Sequence, residues 1–249
     1  MKSAAKSDVG KIRQNNEDSV LVDDDLGIYL LADGMGGCAG GEIASSLAVE
    51  TAYDYLKKLI AHTDQALFPK LIAEALARAH SAVSGKSLSD SDLAGMGTTL
   101  EIVVVKEKTA FICHTGDSRV YLLRGDTLRR ITVDDNMAAW LMEREHVPES
   151  AVSPGARHLL TQAVGGSSSP IPALHTLELA GNDIIIICSD GLTEMLEDRV
   201  IARIAGHYHD QPDKAAEALV AEANARGGYD NVSVVLIRVG NEPFPAGTN

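Results

Sequence analysis

The period of apolar and polar positions changes repeatedly along the chain, and each change predicts an element. Two short apolar runs, 19–22 and 28–32, flank Asp23-Asp24-Asp25-Leu26-Gly27. Acid-rich turn chemistry between two β-leaning runs predicts a hairpin. Beyond Gly41, the residues Ile43, Leu47, Ala48, Ala52, Tyr55, Leu56 and Leu59 recur at helical spacing. A second helix is predicted over 65–83, with Leu67, Leu71, Ile72, Ala75, Leu76 and Ala79 on one face. The stretch 84–97, rich in Ser, Asp and Gly, reads as a loop. Strands are predicted at 98–105, 109–114, 120–124 and 127–131, joined by short turns as an antiparallel meander. A helix over 134–145 and an irregular excursion over 147–155, with Pro148 and Pro154, follow. Later strands are expected at 175–179, 183–189 and 232–239, with helices near 198–207 and 213–225 between the last two. Helices in two blocks, each flanked by strands, favour an α+β layered domain with a mostly antiparallel sheet core over a doubly wound parallel fold.

Composition narrows the function classes. The chain has 249 residues, 45% hydrophobic and 23% charged, the makeup of an ordinary globular protein. Its 22 Lys plus Arg against 35 Asp plus Glu give a formal charge of −13. That balance argues against non-specific nucleic-acid binding and against attachment to anionic membranes, both of which need a basic face. Cys38, Cys113 and Cys188 are sparse and lie far apart, which suits reduced thiols in a cytoplasm. No apolar h-region opens the chain, and its longest strongly apolar stretch, Ile184–Cys188, is far short of a membrane span.

Four separated places set carboxylates beside predicted strand ends. They are Asn15-Asn16-Glu17-Asp18, Leu30-Leu31-Ala32-Asp33-Gly34, Ile187-Cys188-Ser189-Asp190-Gly191 and Gly228-Tyr229-Asp230-Asn231. Any one of them is ordinary turn chemistry. Taken together, several buried carboxylates converging on one sheet edge need cations. Oxygen ligands with no His or Cys cluster select hard ions such as Mg²⁺ or Mn²⁺. The glycine loop Gly34-Met35-Gly36-Gly37-Cys38-Ala39-Gly40-Gly41 fits neither nucleotide-binding signature. Its permissive backbone would instead let the Gly34 carbonyl face a metal.

These motifs belong to a larger ordered set. Arg13-Gln14-Asn15-Asn16-Glu17-Asp18, Ala32-Asp33-Gly34-Met35-Gly36-Gly37 and Gly97-Thr98-Thr99-Leu100 are followed by Gly116-Asp117-Ser118-Arg119-Val120-Tyr121. Leu160-Thr161-Gln162-Ala163-Val164-Gly165, Ser189-Asp190-Gly191-Leu192 and Asp230-Asn231-Val232-Ser233 complete it. In this order the chain resembles the metal-dependent serine/threonine protein phosphatases of the 2C type, in their compact bacterial branch.

The resemblance implies a central antiparallel β-sandwich flanked by helix pairs, formed by a single catalytic domain over 1–240, with a flap at about 136–155 and a tail at 241–249. It implies two divalent cations, Mn²⁺ or Mg²⁺. Asp33, Asp190 and Asp230 would hold the first; Asp33, the Gly34 carbonyl and Glu17 would hold the second. Asp134 would hold a weaker third cation, shared with Asp190. Asp18 would orient a metal-bound water, and Arg13 would grip the phosphate. The expected reaction is hydrolysis of protein phosphoserine and phosphothreonine by that water, reversing a bacterial Ser/Thr kinase, with no protein nucleophile. Where bacterial members commonly carry His, this chain has Cys38. A thiol there could donate a proton or merely pack under the loop, and His158 is the substitute donor elsewhere.

Two other readings are open. Cys113 to Arg119 satisfies the C-x5-R spacing of cysteine-dependent phosphatases. Such a loop should lead into a helix, whereas Val120-Tyr121-Leu122-Leu123 reads as a strand, and Asp117 would repel a phosphate. Gly116-Asp117-Ser118-Arg119 is therefore read as a structural turn. The other reading is a catalytically impaired module that binds phosphoproteins, favoured only by the Cys38 departure.

Overall fold

The computed structural model describes residues 1–35 and 40–240. The expectations for Cys38 and for the tail 241–249 thus lie outside the described residues. Eleven strands among the described residues form two antiparallel sheets. One sheet has the order β1 (Lys2–Asp8), β11 (Val232–Arg238), β10 (Ile184–Cys188), β7 (Arg119–Arg124) and β8 (Thr127–Arg130). The other runs β2 (Asp18–Asp23), β3 (Ile28–Met35), β5 (Leu100–Lys106), β6 (Thr109–Thr115) and β9 (Ala173–Glu178). The short β4 (Gly97–Thr98) pairs beside β3.

The alternation of side chains along each strand builds three apolar layers. From β3, Tyr29 and Leu31 meet Ile185 and Ile187 of β10 between the sheets, together with Val235 and Ile237 of β11. The opposite parity, Ile28, Leu30 and Ala32, packs under α1 (Gly41–Leu59) and α2 (Phe68–Ser89). On the far side Ile184, Ile186, Val234 and Leu236 pack under α4 (Asp190–Thr193), α5 (Asp198–His207) and α6 (Pro212–Ala225). Strands covered on both faces read as continuous apolar runs, which is why 28–32 and 184–188 lack alternation. The layering is α-β-β-α. The segment between β8 and β9 carries α3 (Met137–Glu143) and two 3₁₀ turns, Glu149–Ala151 and Pro154–His158.

The structure corrects four expectations from the sequence. β6 and β7 are not neighbours in one meander: the turn after Thr115 crosses from one sheet to the other. Hairpin patterning is the same whichever sheet a pair joins, so it could not reveal the crossing. β1 was not anticipated, because Lys2-Ser3-Ala4-Ala5-Lys6-Ser7-Asp8 has little apolar content; it is a strand through its seven-residue pairing with β11. α2 runs to Ser89 rather than ending at Val83. Ser87 Oγ donates to the Leu93 carbonyl (3.0 Å) and accepts from Gly95 N (3.1 Å), tying the last turn to the chain that follows. On α1 the buried face is Ala44, Ser45, Ala48, Val49, Ala52 and Leu56, while Ile43 and Leu59 are exposed. The stripe is rotated because small residues let the helix approach β3 closely, and hydrophobicity alone overweights the large side chains.

Candidate active site

Parity along β3 carries Asp33 past Tyr29 and Leu31 to the inter-sheet end, and the ladder sets Asp18 directly opposite it. The Asp33 backbone is fixed by Thr98 and Thr99. Asp33 N donates to Thr99 Oγ1 (2.8 Å), and its carbonyl accepts from Thr98 Oγ1 (2.8 Å) and Thr99 N (2.9 Å). These bonds fix the backbone on which the carboxylate is carried. Asp190 follows β10 by two residues and opens α4, and Asp230 precedes β11. Asn231 ties the loop after β1 to this end: its Oδ1 accepts from Glu17 N (2.8 Å), and its Nδ2 donates to the carbonyls of Val9 and Asn15, both at 2.9 Å.

The result is a cavity of about 420 Å³. It is lined by five carboxylates, Glu17, Asp33, Asp117, Asp190 and Asp230, with Arg13 and His158 as the basic groups among the described residues. Gly34 lines it as well. Arg13 Nη2 donates to Asp230 Oδ2 at 2.7 Å, and its side chain is half exposed at 50%. Asp18 lies behind this lining, its Oδ2 accepting from Ser189 Oγ at 2.9 Å.

The electrostatics are those of a site built to take positive charge. Burial, then the charges of Asp18, Asp190, Asp117 and Asp230, push the Asp33 carboxyl well above its ordinary range. Burial and the charges of Asp117, Glu194, Asp230 and Asp18 do the same to Asp190. Asp18 is pushed up to about 6 by burial, against the bonds from Ser233 and Ser189 that favour its charge. Asp117 also reaches about 6, through burial and then Asp134. Glu17 is raised by burial and Glu42. Asp18 Oδ1 and Asp190 Oδ1 are buried with no hydrogen-bond partner. Unpartnered, mutually repelling carboxylates of this kind fit hard divalent cations, the ions that an all-oxygen donor set selects.

Gly34 is required for close approach and not for loop flexibility, which revises the sequence reading. It sits in the ladder opposite Thr98, and a Cβ there would stand 2.1 Å from the Gly41 carbonyl oxygen and 2.6 Å from that of Glu17. Backbone atoms on both sides cannot retreat independently. Gly34→Ala is therefore expected to cost about 3 kcal/mol in stability and to weaken divalent-cation binding. Gly85→Ala, in open space within α2, should gain about 0.5–1 kcal/mol instead. Thermal melts and Mn²⁺ titration of the two variants check this contrast.

Asp134 shares a recess with Asp117 and Asp190, as a ligand shared with Asp190 would, but stands outside the main cavity. Arg119 grips it in a fork, Nε to Oδ1 at 3.0 Å and Nη2 to Oδ2 at 2.9 Å, and Arg130 Nη2 donates to Oδ1. Two guanidinium groups neutralise it and occupy both of its oxygens. The carboxylate that does reach the cavity is Asp117, which the sequence reading left as part of a structural turn. Gly116, at φ 113°, brings that turn against Thr99, where a Cβ would lie 2.5 Å from Cγ2. Ser118 Oγ then meets Thr99 Oγ1 at 2.9 Å. The signal available in the sequence was the repeated Gly-Asp pairing beside an apolar strand. The segment leading to Asp134 is anchored by His114, whose Nε2 donates to the Val133 carbonyl (2.7 Å) while Nδ1 meets Glu101 Oε1 (2.6 Å). Burial opposes the charged ring, but Glu101 outweighs it and holds His114 at about 9.

The C-x5-R pair does not converge. Cys113 is buried in the layer under α1 and α2, and burial pushes its thiol far up. Arg119 is committed to Asp134 and Tyr121, beside the opposite helix layer, and leads into a strand.

Comparison with known proteins places these features in a family. The family model described as "Protein phosphatase 2C" matches residues 10–222. The chain is 36% identical over 245 residues to the serine/threonine protein phosphatase PstP of Mycobacterium tuberculosis, covering 96% of this chain. It spans only 45% of that protein's length. It is 30% identical over 241 residues to the serine/threonine phosphatase stp of Listeria welshimeri, covering 95% of each chain. Among solved structures, the catalytic domain of PstP in complex with two manganese ions superimposes with a TM-score of 0.82 at 34% identity, covering 96% of this chain and 98% of the other.

Proposed function

Because the chain belongs to the protein phosphatase 2C family, we propose that it hydrolyses phosphoserine and phosphothreonine in proteins, using divalent cations held in the acid-lined cavity. The observation that carries this reading is the convergence of five carboxylates from both sheets, with a buried, unpartnered oxygen on Asp190. Asp33, Asp190 and Asp230 would hold one cation; Asp33, Glu17 and the Gly34 carbonyl a second, both Mn²⁺ or Mg²⁺. For a weaker third cation, Asp117 beside Asp190 is better placed than Asp134, which two arginines already engage. When bound, such ions supply Lewis-acid activation of water and neutralise charge on the phosphoryl oxygens.

The chain's own residues do the rest. Arg13 stands at the mouth with a guanidinium fork suited to a phosphate dianion, held in place by Asp230. Asp18, fixed by Ser189 behind Asp33, would orient the attacking water. Thr98 and Thr99 hold the Asp33 backbone, so its carboxylate keeps a fixed aim. The substrates are phosphoproteins, and the opposing enzyme a Ser/Thr kinase. Cys113 and Cys188, both buried free thiols, suit a cytoplasmic location, and no helix among the described residues is long and apolar enough to cross a membrane.

The test is phosphate release from a phosphothreonine peptide. Activity should vanish with chelator, return with Mn²⁺, and persist in Cys113→Ser. Activity that survives chelation but is lost in Cys113→Ser would establish the thiol mechanism instead. Peptide binding without turnover in Mn²⁺ would leave the binding-module reading standing.

A further inference from the structure

We propose that Glu101 and His114 are positioning residues of the reaction, a buried strut that fixes the wall which the excursion between β8 and β9 gives to the acid-lined cavity. The proposal rests on the phosphatase reading of that cavity. The two residues are direct cross-strand partners on β5 and β6, fully buried, with His114 Nδ1 2.6 Å from Glu101 Oε1. They share the parity of Val103 and Ile112, so the pair faces the layer between the sheets.

Stability does not account for a charged pair in that place. A buried ion pair gains little over apolar side chains of similar volume, because desolvation offsets the attraction. Glu101 Oε2 is moreover buried with no hydrogen-bond partner among the described residues. What the pair supplies is a donor of fixed direction. His114 Nε2 reaches the Val133 carbonyl at 2.7 Å, on the chain that leaves β8 of the other sheet.

From Val133 the connection runs to the cavity through Asp135. Asp135 N donates to the Gly116 carbonyl at 2.7 Å, and its Oδ2 accepts from Gly116 N at 3.1 Å. On the other side its carbonyl accepts from Thr161 N at 2.8 Å and its Oδ1 from Gln162 Nε2 at 3.0 Å. Asp135 thus clasps both ends of the excursion, and Met137 N closes it one step further on the Leu159 carbonyl at 2.8 Å. Just inside this clasp stand His158 and Leu160, the residues through which the excursion lines the cavity. Releasing Val133 should move that wall and leave Asp33, Asp190 and Asp230, carried by other elements, in place. A phosphopeptide rests on such a wall. A small aryl phosphate, which needs only the acid-lined floor and Arg13, does not.

The experiment compares the Mn²⁺-loaded full chain with two double variants. Glu101→Leu with His114→Met fills the volume but removes both the charges and the donor, a replacement that buried pairs tolerate. Glu101→Gln with His114→Gln keeps a donor toward Val133 without the charges. The apolar variant is expected to raise KM for a phosphothreonine peptide about tenfold, a loss of binding and not of chemistry, while kcat for p-nitrophenyl phosphate and Mn²⁺ affinity hold. Its Met137 and Thr161 amides should exchange with deuterium faster than those of the wild type. Both effects should revert in the Gln pair, which a packing role alone would not produce. Unchanged exchange, an unchanged peptide KM or no reversal would overturn the strut. Equal losses on both substrates with weaker Mn²⁺ binding would overturn it too, by placing the pair's effect on the ion ligands. A wild type inactive on both substrates would remove the phosphatase reading, while faster exchange reverting in the Gln pair would still support the strut.

Discussion

Asp33→Asn is expected to reduce phosphate release from a phosphothreonine peptide at least about 100-fold in saturating Mn²⁺, and Asp190→Asn by a similar factor. Replacing groups that merely support metal ligands already costs about 10–100-fold, so removal of a ligand's charge should exceed that range. The substitution is clean at Asp33 because its bonds with Thr98 and Thr99 are made by its backbone, its N donating to the Thr99 hydroxyl and its carbonyl accepting from Thr98 Oγ1 and Thr99 N. Asparagine keeps the shape and those bonds and removes the charge. A second readout separates lost chemistry from lost folding. Without metal, the Asp33 carboxyl is crowded by Asp18, Asp190, Asp117 and Asp230, so the metal-free Asp33→Asn chain should melt above the metal-free wild type. Wild-type turnover in both variants would remove Asp33 and Asp190 from the cation site.

Chelation should make stability strongly pH-dependent, and in the direction opposite to that of most salt-bridged acids. Asp18 and Asp117 rise from 3.8 to about 6 in the folded chain without metal. Below about pH 4 these groups are protonated in both the folded and the unfolded chain, and they impose no penalty. As pH rises toward 6 the unfolded chain ionises freely while the folded chain resists. Folded stability therefore falls across that window, and Asp33 and Asp190, whose carboxyls burial and neighbouring acids also raise, add to the fall. A shift of this size corresponds to about 3 kcal/mol for a fully buried group such as Asp18. Divalent cations stabilise the ionised carboxylates, so the gap in melting temperature between Mn²⁺-loaded and chelated protein should widen from pH 5 to pH 7.5. A gap independent of pH would mean that the carboxylates are not the ion's ligands.

The runs Ile28–Leu31 leading to Asp33 and Ile184–Cys188 leading to Asp190 were legible as buried strands ending in a carboxylate, and it was the four such places taken together, not any one Asp-Gly, that pointed to a shared acidic cleft. The helix pairs and the antiparallel core followed from the period changes. Asp117 was not legible. Its role depends on the chain changing sheets between β6 and β7, and that crossing leaves no trace in hydrophobic patterning. The partners of Asp134 were silent for a related reason: nothing in Ile131-Thr132-Val133-Asp134-Asp135 reveals that Arg119 and Arg130 converge on it from neighbouring strands. The buried Glu101–His114 pair was equally silent, since one charged residue in an apolar strand reads as an exposed edge until its cross-strand partner is known.

Asp18 and Asp33 belong to one sheet, whereas Asp190 and Asp230 flank strands of the other. An ion shared between them depends on how the two sheets lie over each other, a relation no strand-ladder hydrogen bond sets. That alignment is gauged by the greasy interlayer of Tyr29, Leu31, Ile112, Val120, Ile185, Ile187 and Val235, with cross-sheet bonds such as those of Ser189 to Asp18 and Asn231 to Glu17 at the site end. Metal coordination tolerates errors of about 0.2 Å, while one residue of slip along a strand is about 3.3 Å. Interlayer side chains far from any phosphate thus act as the machinist's shims of the reaction, and trimming one should blunt turnover before it unfolds the protein.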